Sequence, residues 1–305
     1  MGAWEEETAI RFSGIVQRKP NFKLGPITLD IPKGYITAIV GPNGSGKSTL
    51  FRMALDLEKP AEGMVTLLDH PVGQGDDDVV KQKLGYLPEE ALYEDNKLSA
   101  HEKARFNSFW YTGWDVNRYQ DLLMKLQVND NMVLGKMSKG MRRKFDLAIA
   151  LSHAPELLLL DEPSSGLDPL AWKSMIEILH RYMEPGTRTI VMTSHIVEEV
   201  KRLADYIVFM AQGRILGTYE KDELFSSWFT MYVTGEGLTA QQAAGMPGSC
   251  GVETAGNATY RITTGQALEA EAWCAANGLQ IVSRQALELD EIMSALLQQE
   301  SIGRR

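Results

Sequence analysis

The fold turns on one segment, YITAIVGPNGSGKSTL at residues 35–50. Its first six residues form a short, largely apolar run rich in β-branched side chains, which reads as a buried parallel strand. GPNGSGKST follows directly, and Leu50, Met53, Ala54 and Leu57 then recur at helical spacing. A strand, a glycine loop and a helix in that order are what a phosphate loop requires. Gly41, Gly44 and Gly46 let the backbone curl, so that N–H groups from Asn43, Ser45 and their neighbours face an anion at a helix N-terminus. Lys47 is placed to reach the terminal phosphates, and the hydroxyls of Ser48 and Thr49 are hard oxygen donors, Ser48 being the expected Mg²⁺ ligand.

A second segment completes the chemistry. LLLLDEP, residues 157–163, reads as a buried strand ending in two acids. Asp161 is placed to hold Mg²⁺, directly or through water, and Glu162 to polarise an attacking water. Together the segments predict a nucleotide hydrolase. Strands at residues 84–88, 189–194 and 206–211 alternate with helices at 139–152, 170–183 and 196–204. That alternation predicts an α/β fold with a mostly parallel sheet. Runs at 9–16 and 25–31 add a β subdomain, and residues 99–128 read as helical and rich in aromatics. After residue 226 the texture loosens, with six glycines between 235 and 256. Beyond them a strand at 259–263, a helix at 266–277, a strand at 279–283 and a final helix at 287–299 suggest a small C-terminal α/β appendage.

Composition sets bounds on these readings. A chain of 305 residues, 44% hydrophobic and 23% charged, is ordinary globular protein of about two domains. A net charge of -9 argues against a nucleic-acid partner bound through phosphate neutralisation. Cys250 and Cys274 are too few and too far apart for a disulfide framework or a zinc site, which suggests a reducing compartment. The most apolar stretch, residues 145–160, is interrupted by His153, Pro155 and Glu156, well short of the ~20 apolar residues of a membrane span. The first residues, MGAWEEET, are acidic, unlike a secretory leader.

Three further segments narrow the reading: KMSKGMRRK (136–144), SSGLD (164–168) and TSH (193–195). In this order the chain resembles the ATP-binding subunits of ABC transporters over residues ~8–225, with a P-loop ATPase core and a helical subdomain at about 89–155. The resemblance implies ATP and Mg²⁺ as ligands. Ser138 and Gly140 match the signature motif, which in this family meets the γ-phosphate held by the opposite subunit. Lys139 stands where that motif usually has glycine, and Met141 where it usually has glutamine. Asp168 matches the aspartate that helps join the two subunits, and His195 the histidine that contacts the γ-phosphate and orients the catalytic carboxylate. Glu89 occupies the place of a Mg²⁺-contacting glutamine, so hydrolysis and its coupling are open to change there. Phe22 is the only aromatic candidate to stack on adenine, and it equally fits the core of its own strand.

The acidic residue at 89, the FWYTGWD segment (109–115), SKGMRRK and ALELDEIM in the tail resemble the bacterial ABC-2-type exporter ATPases. The aromatics between 106 and 119 either pack the helical subdomain or line the groove that receives a segment of the membrane subunit. The implied protein is a homodimer, or a heterodimer with a related chain, held at the inner face of the cell membrane by a separate permease. The alternatives are a nucleotide-gated regulatory subunit with weak hydrolysis, and a soluble ABC ATPase acting on DNA or ribosomes.

Overall fold

The computed structural model describes residues 7–302 except positions 21, 76 and 257, so the acidic residues 1–6 lie outside the described residues. In chain order the first half runs β1 (Thr8–Lys19), β2 (Phe22–Pro32), β3 (Ile36–Val40), α1 (Lys47–Ala54), β4 (Glu62–Leu67), β5 (His70–Pro71), α2 (Asp77–Lys81) and β6 (Leu84–Leu87). Then come α3 (Ala100–Trp110), α4 (Val116–Leu126), α5 (Lys139–Leu151), β7 (Leu157–Asp161), α6 (Pro169–Met183), β8 (Thr189–Ser194) and α7 (Val197–Leu203). The chain closes with β9 (Tyr206–Ala211), β10 (Arg214–Glu220), α8 (Lys221–Ser227), β11 (Phe229–Thr234), α9 (Ala240–Ala244), β12 (Ser249–Gly256), β13 (Thr259–Thr264), α10 (Ala267–Ala276), β14 (Gln280–Ala286) and α11 (Leu289–Ile302).

The central sheet has the order β10-β9-β3-β8-β7-β6. Its strands pair in parallel except for β10, which returns antiparallel along β9. Alternation along β7 shows why such strands read as unbroken apolar runs. Leu157 and Leu159 face one buried cluster, shared with α1 and the antiparallel sheet β2-β1-β4-β5, whereas Leu158 and Leu160 face the cluster built by α5, α6 and α7. With both faces covered there is no polar side to the strand. The architecture is that of a P-loop ATPase core, as the 35–50 stretch predicts.

Two expectations change in the structure. The helical run at 99–128 is two helices with a break at 111–115. Asp115 makes the break a helix start, its side chain accepting from the N–H groups of Asn117 and Arg118. Upstream, Ser99 and Glu102 form a reciprocal capping box on α3. The glycine-rich stretch after residue 234 is not all loop: β12 and α9 lie within it, and β11 precedes it. Those elements build a βαββαβ unit whose antiparallel sheet has the order β12-β13-β11-β14. Its helices α9 and α10 enclose a small core around Met231, Ile262 and Cys274. Helix α11 leaves that unit, and its Leu289, Ile292, Ala295 and Leu296 join the buried cluster under the central sheet.

Candidate functional site

The site is built where β3, β7 and β8 end on the same edge of the sheet, the usual place for ligands in open parallel sheets. From β3 the chain turns at Gly41, where an added Cβ would lie 1.9 Å from the carbonyl oxygen of Met210. Gly46 caps α1 with φ at 112°, and a Cβ there would meet Leu24 at 2.6 Å and Met210 at 2.8 Å. Glycine is needed at 41 for the close approach to the β9 backbone and at 46 for the left-handed conformation. The Ser45 hydroxyl is buried with no hydrogen-bond partner among the described residues.

A cavity of about 600 Å³ opens over this loop, lined by Asn43, Gly44, Gly46, Lys47, Ser48 and Thr49, with Lys19, Phe22, Glu89 and Glu162 around them. Lys47 is 5% exposed and donates to the carbonyls of Gly41 at 2.8 Å and Pro42 at 3.3 Å. Burial holds its pKa below the usual lysine value, against the opposing pull of Glu162, Asp161 and Glu89. Its Nζ lies 3.8 Å from Glu162 Oε1. Phe22 lines the cavity and packs on the apolar cluster behind it.

At the end of β7 the two acids are held by β8. Thr193 Oγ1 donates to Asp161 Oδ1 at 2.5 Å and accepts from the Glu162 N–H at 3.0 Å. Ser48 Oγ donates to the same Asp161 oxygen at 3.4 Å. Glu162 has φ at 47°, a conformation uncommon for a non-glycine residue, and it places Oε2 2.8 Å from His195 Nδ1. His195 remains half exposed, whereas Glu162 is 7% exposed.

A hydroxyl and a carboxylate sharing one point are hard oxygen donors that fit Mg²⁺, which takes one or two protein ligands and completes its shell with water and substrate phosphates. No group of three or more His, Cys, Asp or Glu suited to a metal occurs among the described residues.

The remaining sequence candidates lie away from the cavity lining. Ser138 caps α5 and accepts from Met141 N–H at 3.2 Å. Gly140 packs under the loop after β7, since an added Cβ would sit 2.8 Å from Gly166 O. Lys139 reaches that same loop, donating to Ser165 Oγ at 2.9 Å. Asp168 starts α6, accepting from the N–H groups of Ala171 and Leu170, and those bonds hold its carboxyl below the usual range. The aromatic segment divides: Tyr119 is buried and Trp114 packs on the core, whereas Phe106, Phe109 and Trp110 are exposed. Trp110 and Tyr111 line a second, more apolar cavity of about 410 Å³ beside Pro88, where Tyr111 stacks on His153.

Sequence reasoning assigned no role to Arg143, which the structure makes a junction. Its guanidinium is 4% exposed and donates to five carbonyls: Pro88, Glu89 at 3.1 Å, Asp161, Glu162 and Pro163 at 3.1 Å. One side chain of α5 thus bolts the Glu89 turn to the strand end carrying both acids. No local pattern announces such a residue, because all five acceptors are backbone.

Comparison with known proteins follows the same lines. The protein family described as ABC transporter matches residues 24–165. The lantibiotic transport ATP-binding protein SrtF of Streptococcus pyogenes is 32% identical over 213 residues, covering 67% of this chain and 90% of that protein. An uncharacterized ABC transporter ATP-binding protein of Nostoc sp. is 34% identical over 230 residues, covering 68% of this chain and 63% of that longer protein. Among solved structures, an ATP-binding subunit of an ABC transporter superposes with a TM-score of 0.65 at 24% identity, over 72% of this chain and 92% of that one, a likeness of fold.

Proposed function

Because the chain belongs to the family of ABC transporter ATP-binding proteins, we propose that it binds ATP with Mg²⁺, hydrolyses it in a closed pair of chains, and powers export by a separate membrane permease. The observation that carries this reading is the meeting of Lys47, Ser48, Asp161, Glu162 and His195 at one strand edge. Residues 1–225 would form the ATP-binding domain and residues 226–305 its appendage. Export rather than import is read from the motif order around residues 89, 109–115 and 138–144, and from similarity to a lantibiotic transport protein.

In this reading the loop N–H groups and the Lys47 ammonium neutralise the phosphates. Ser48 and Asp161 would hold Mg²⁺, which when bound supplies positive charge against the leaving phosphate oxygens. Glu162 Oε1 takes the proton of the attacking water, and Oε2 rests on His195 Nδ1–H, which fixes the carboxylate's rotation. Thr193 keeps the metal-binding and proton-accepting carboxylates in register through one hydroxyl. Phe22 would stack on adenine. Ser138, Gly140 and Asp168, remote from the cavity of their own chain, would complete that of the partner chain. The cavity beside Trp110 and Tyr111 would receive the permease segment, with Arg143 linking its Pro88 wall to the acids.

A second reading, a nucleotide-gated subunit with weak hydrolysis, draws on Glu89, a carboxylate that shares the cavity with Glu162. Pairing is tested by sedimentation of the Glu162→Gln chain in Mg-ATP. We expect the mass to double from 34.0 kDa, and not to do so when Ser138→Arg is added. A mass unchanged at saturating ATP would overturn the proposal.

A further inference from the structure

Glu198 and Glu199 are consecutive on α7 yet live in different surroundings. Glu198 is exposed and accepts from Arg202 at 2.8 Å, one helical turn on. Glu199 is 2% exposed. Its Oε2 accepts from Ser194 Oγ at 2.8 Å, and its Oε1 accepts from Ser164 Oγ. Among the described residues no lysine or arginine hydrogen-bonds to it. Burying a carboxylate on two serine hydroxyls alone is costly. That burial pushes its pKa up to about 7.

The two serines belong to the two loops that flank the chemistry. Ser194 directly precedes His195, and its Oγ also accepts from Ile196 N–H at 3.0 Å, which fixes the turn that presents the imidazole. Ser164 begins the turn after Glu162 and Pro163, closed by Leu167 N–H donating to Ser164 O at 2.9 Å. Next to it, Ser165 takes the hydrogen bond from Lys139 on the signature helix. The turn at 164–168 is therefore gripped from both sides, and its grip on the His195 side is Glu199.

We propose that Glu199 is a positioning residue for hydrolysis: its carboxylate ties the 164–168 turn to the His195 turn, so that His195 stays on Glu162. The inference rests on the reading of Glu162 as the proton acceptor. Full-length chains carrying Glu199→Ala, Glu199→Gln and Ser164→Ala are compared with wild type in steady-state Mg-ATP hydrolysis. Nucleotide binding and thermal melting are followed in parallel.

Glu199→Ala should lower kcat at least tenfold while leaving KM for ATP and nucleotide affinity within twofold, since it touches neither the loop nor the metal ligands. Glu199→Gln should recover most of that loss, its amide oxygen accepting from one serine while its NH₂ donates to the other. Ser164→Ala removes a single arm and should cut kcat at least threefold at constant KM; it decides the matter if Glu199→Ala does not fold. A Glu199→Ala chain that melts lower but turns over at the wild-type rate would overturn the proposal, as would a Gln variant as slow as Ala. If wild type and Glu162→Gln hydrolyse equally, the underlying reading fails instead.

Discussion

Replacing Arg143 by methionine isolates what a buried cation contributes when its partners are all backbone. Charge-assisted hydrogen bonds are worth about 1.5–3 kcal/mol each, but removing the guanidinium also removes its own desolvation cost, so the five bonds do not simply add. The loss should instead follow the carbonyls left without a donor. Glu162 O keeps its bond from Ser165 N–H, and the exposed turn at Glu89 can turn to water. Asp161 and Pro163 are buried, so their carbonyls lose the guanidinium where water does not reach. At roughly 2 kcal/mol for each such group, Arg143→Met should destabilise the chain by about 4 kcal/mol, a large share of an ordinary domain's 5–15 kcal/mol. Arg143→Lys, a single ammonium on a shorter reach, should fall between. Urea unfolding without nucleotide, followed by the fluorescence of the six tryptophans, gives the difference from the midpoint shift at constant slope. A loss below about 1 kcal/mol for Met would show that these carbonyls do not depend on the guanidinium.

Other perturbations separate the remaining parts. Gly41→Ala forces a methyl group into the Met210 carbonyl, and should cost about 3 kcal/mol by urea midpoint together with at least tenfold in ATP affinity. His153 is buried, with Nε2 on Leu84 O, and burial lowers its pKa from 6.5 to about 4. Because the unfolded chain takes up the proton first, the neutral ring contributes stability that is complete above pH 6.5 and drains away as pH falls toward 4. His153→Gln should flatten that part of the stability-versus-pH curve by roughly 3 kcal/mol between pH 6.5 and 4. Ser99→Ala breaks the capping box of α3 and should cost about 1 kcal/mol in the same urea experiment with ATP turnover unchanged.

What could be read from the sequence follows from how local each requirement is. Lys47 and Asp161 stand out because phosphate and metal chemistry fix residue types at the ends of apolar strands, whereas His195 is singled out only by the resemblance of TSH to the family motif. Arg143 was hidden in MRRK, which looks like a solvated basic face until the carbonyls of Pro88 and Pro163, 55 and 20 residues away, come beside it. Glu199 was hidden likewise: a Glu-Glu pair on a short helix gives no sign which carboxylate turns inward. In the tail, SCGVETAG carries too little apolar alternation to mark β12, whose residues are all at least partly exposed. The break at 111–115 did carry a signal, Thr-Gly before a capping Asp115, but the dense aromatics around it favour reading straight through.

In the proposed mechanism Glu162, held by His195 beside Lys47 and Asp161, accepts the proton of the water that cleaves ATP. Steady-state Mg-ATP hydrolysis by wild type and Glu162→Gln tests it most directly. Wild-type turnover should rise more than linearly with protein concentration, because two chains make each site. The mutant should lose at least 10²-fold, in the usual range for a general base, with ATP binding retained. Equal turnover by the two proteins would contradict it.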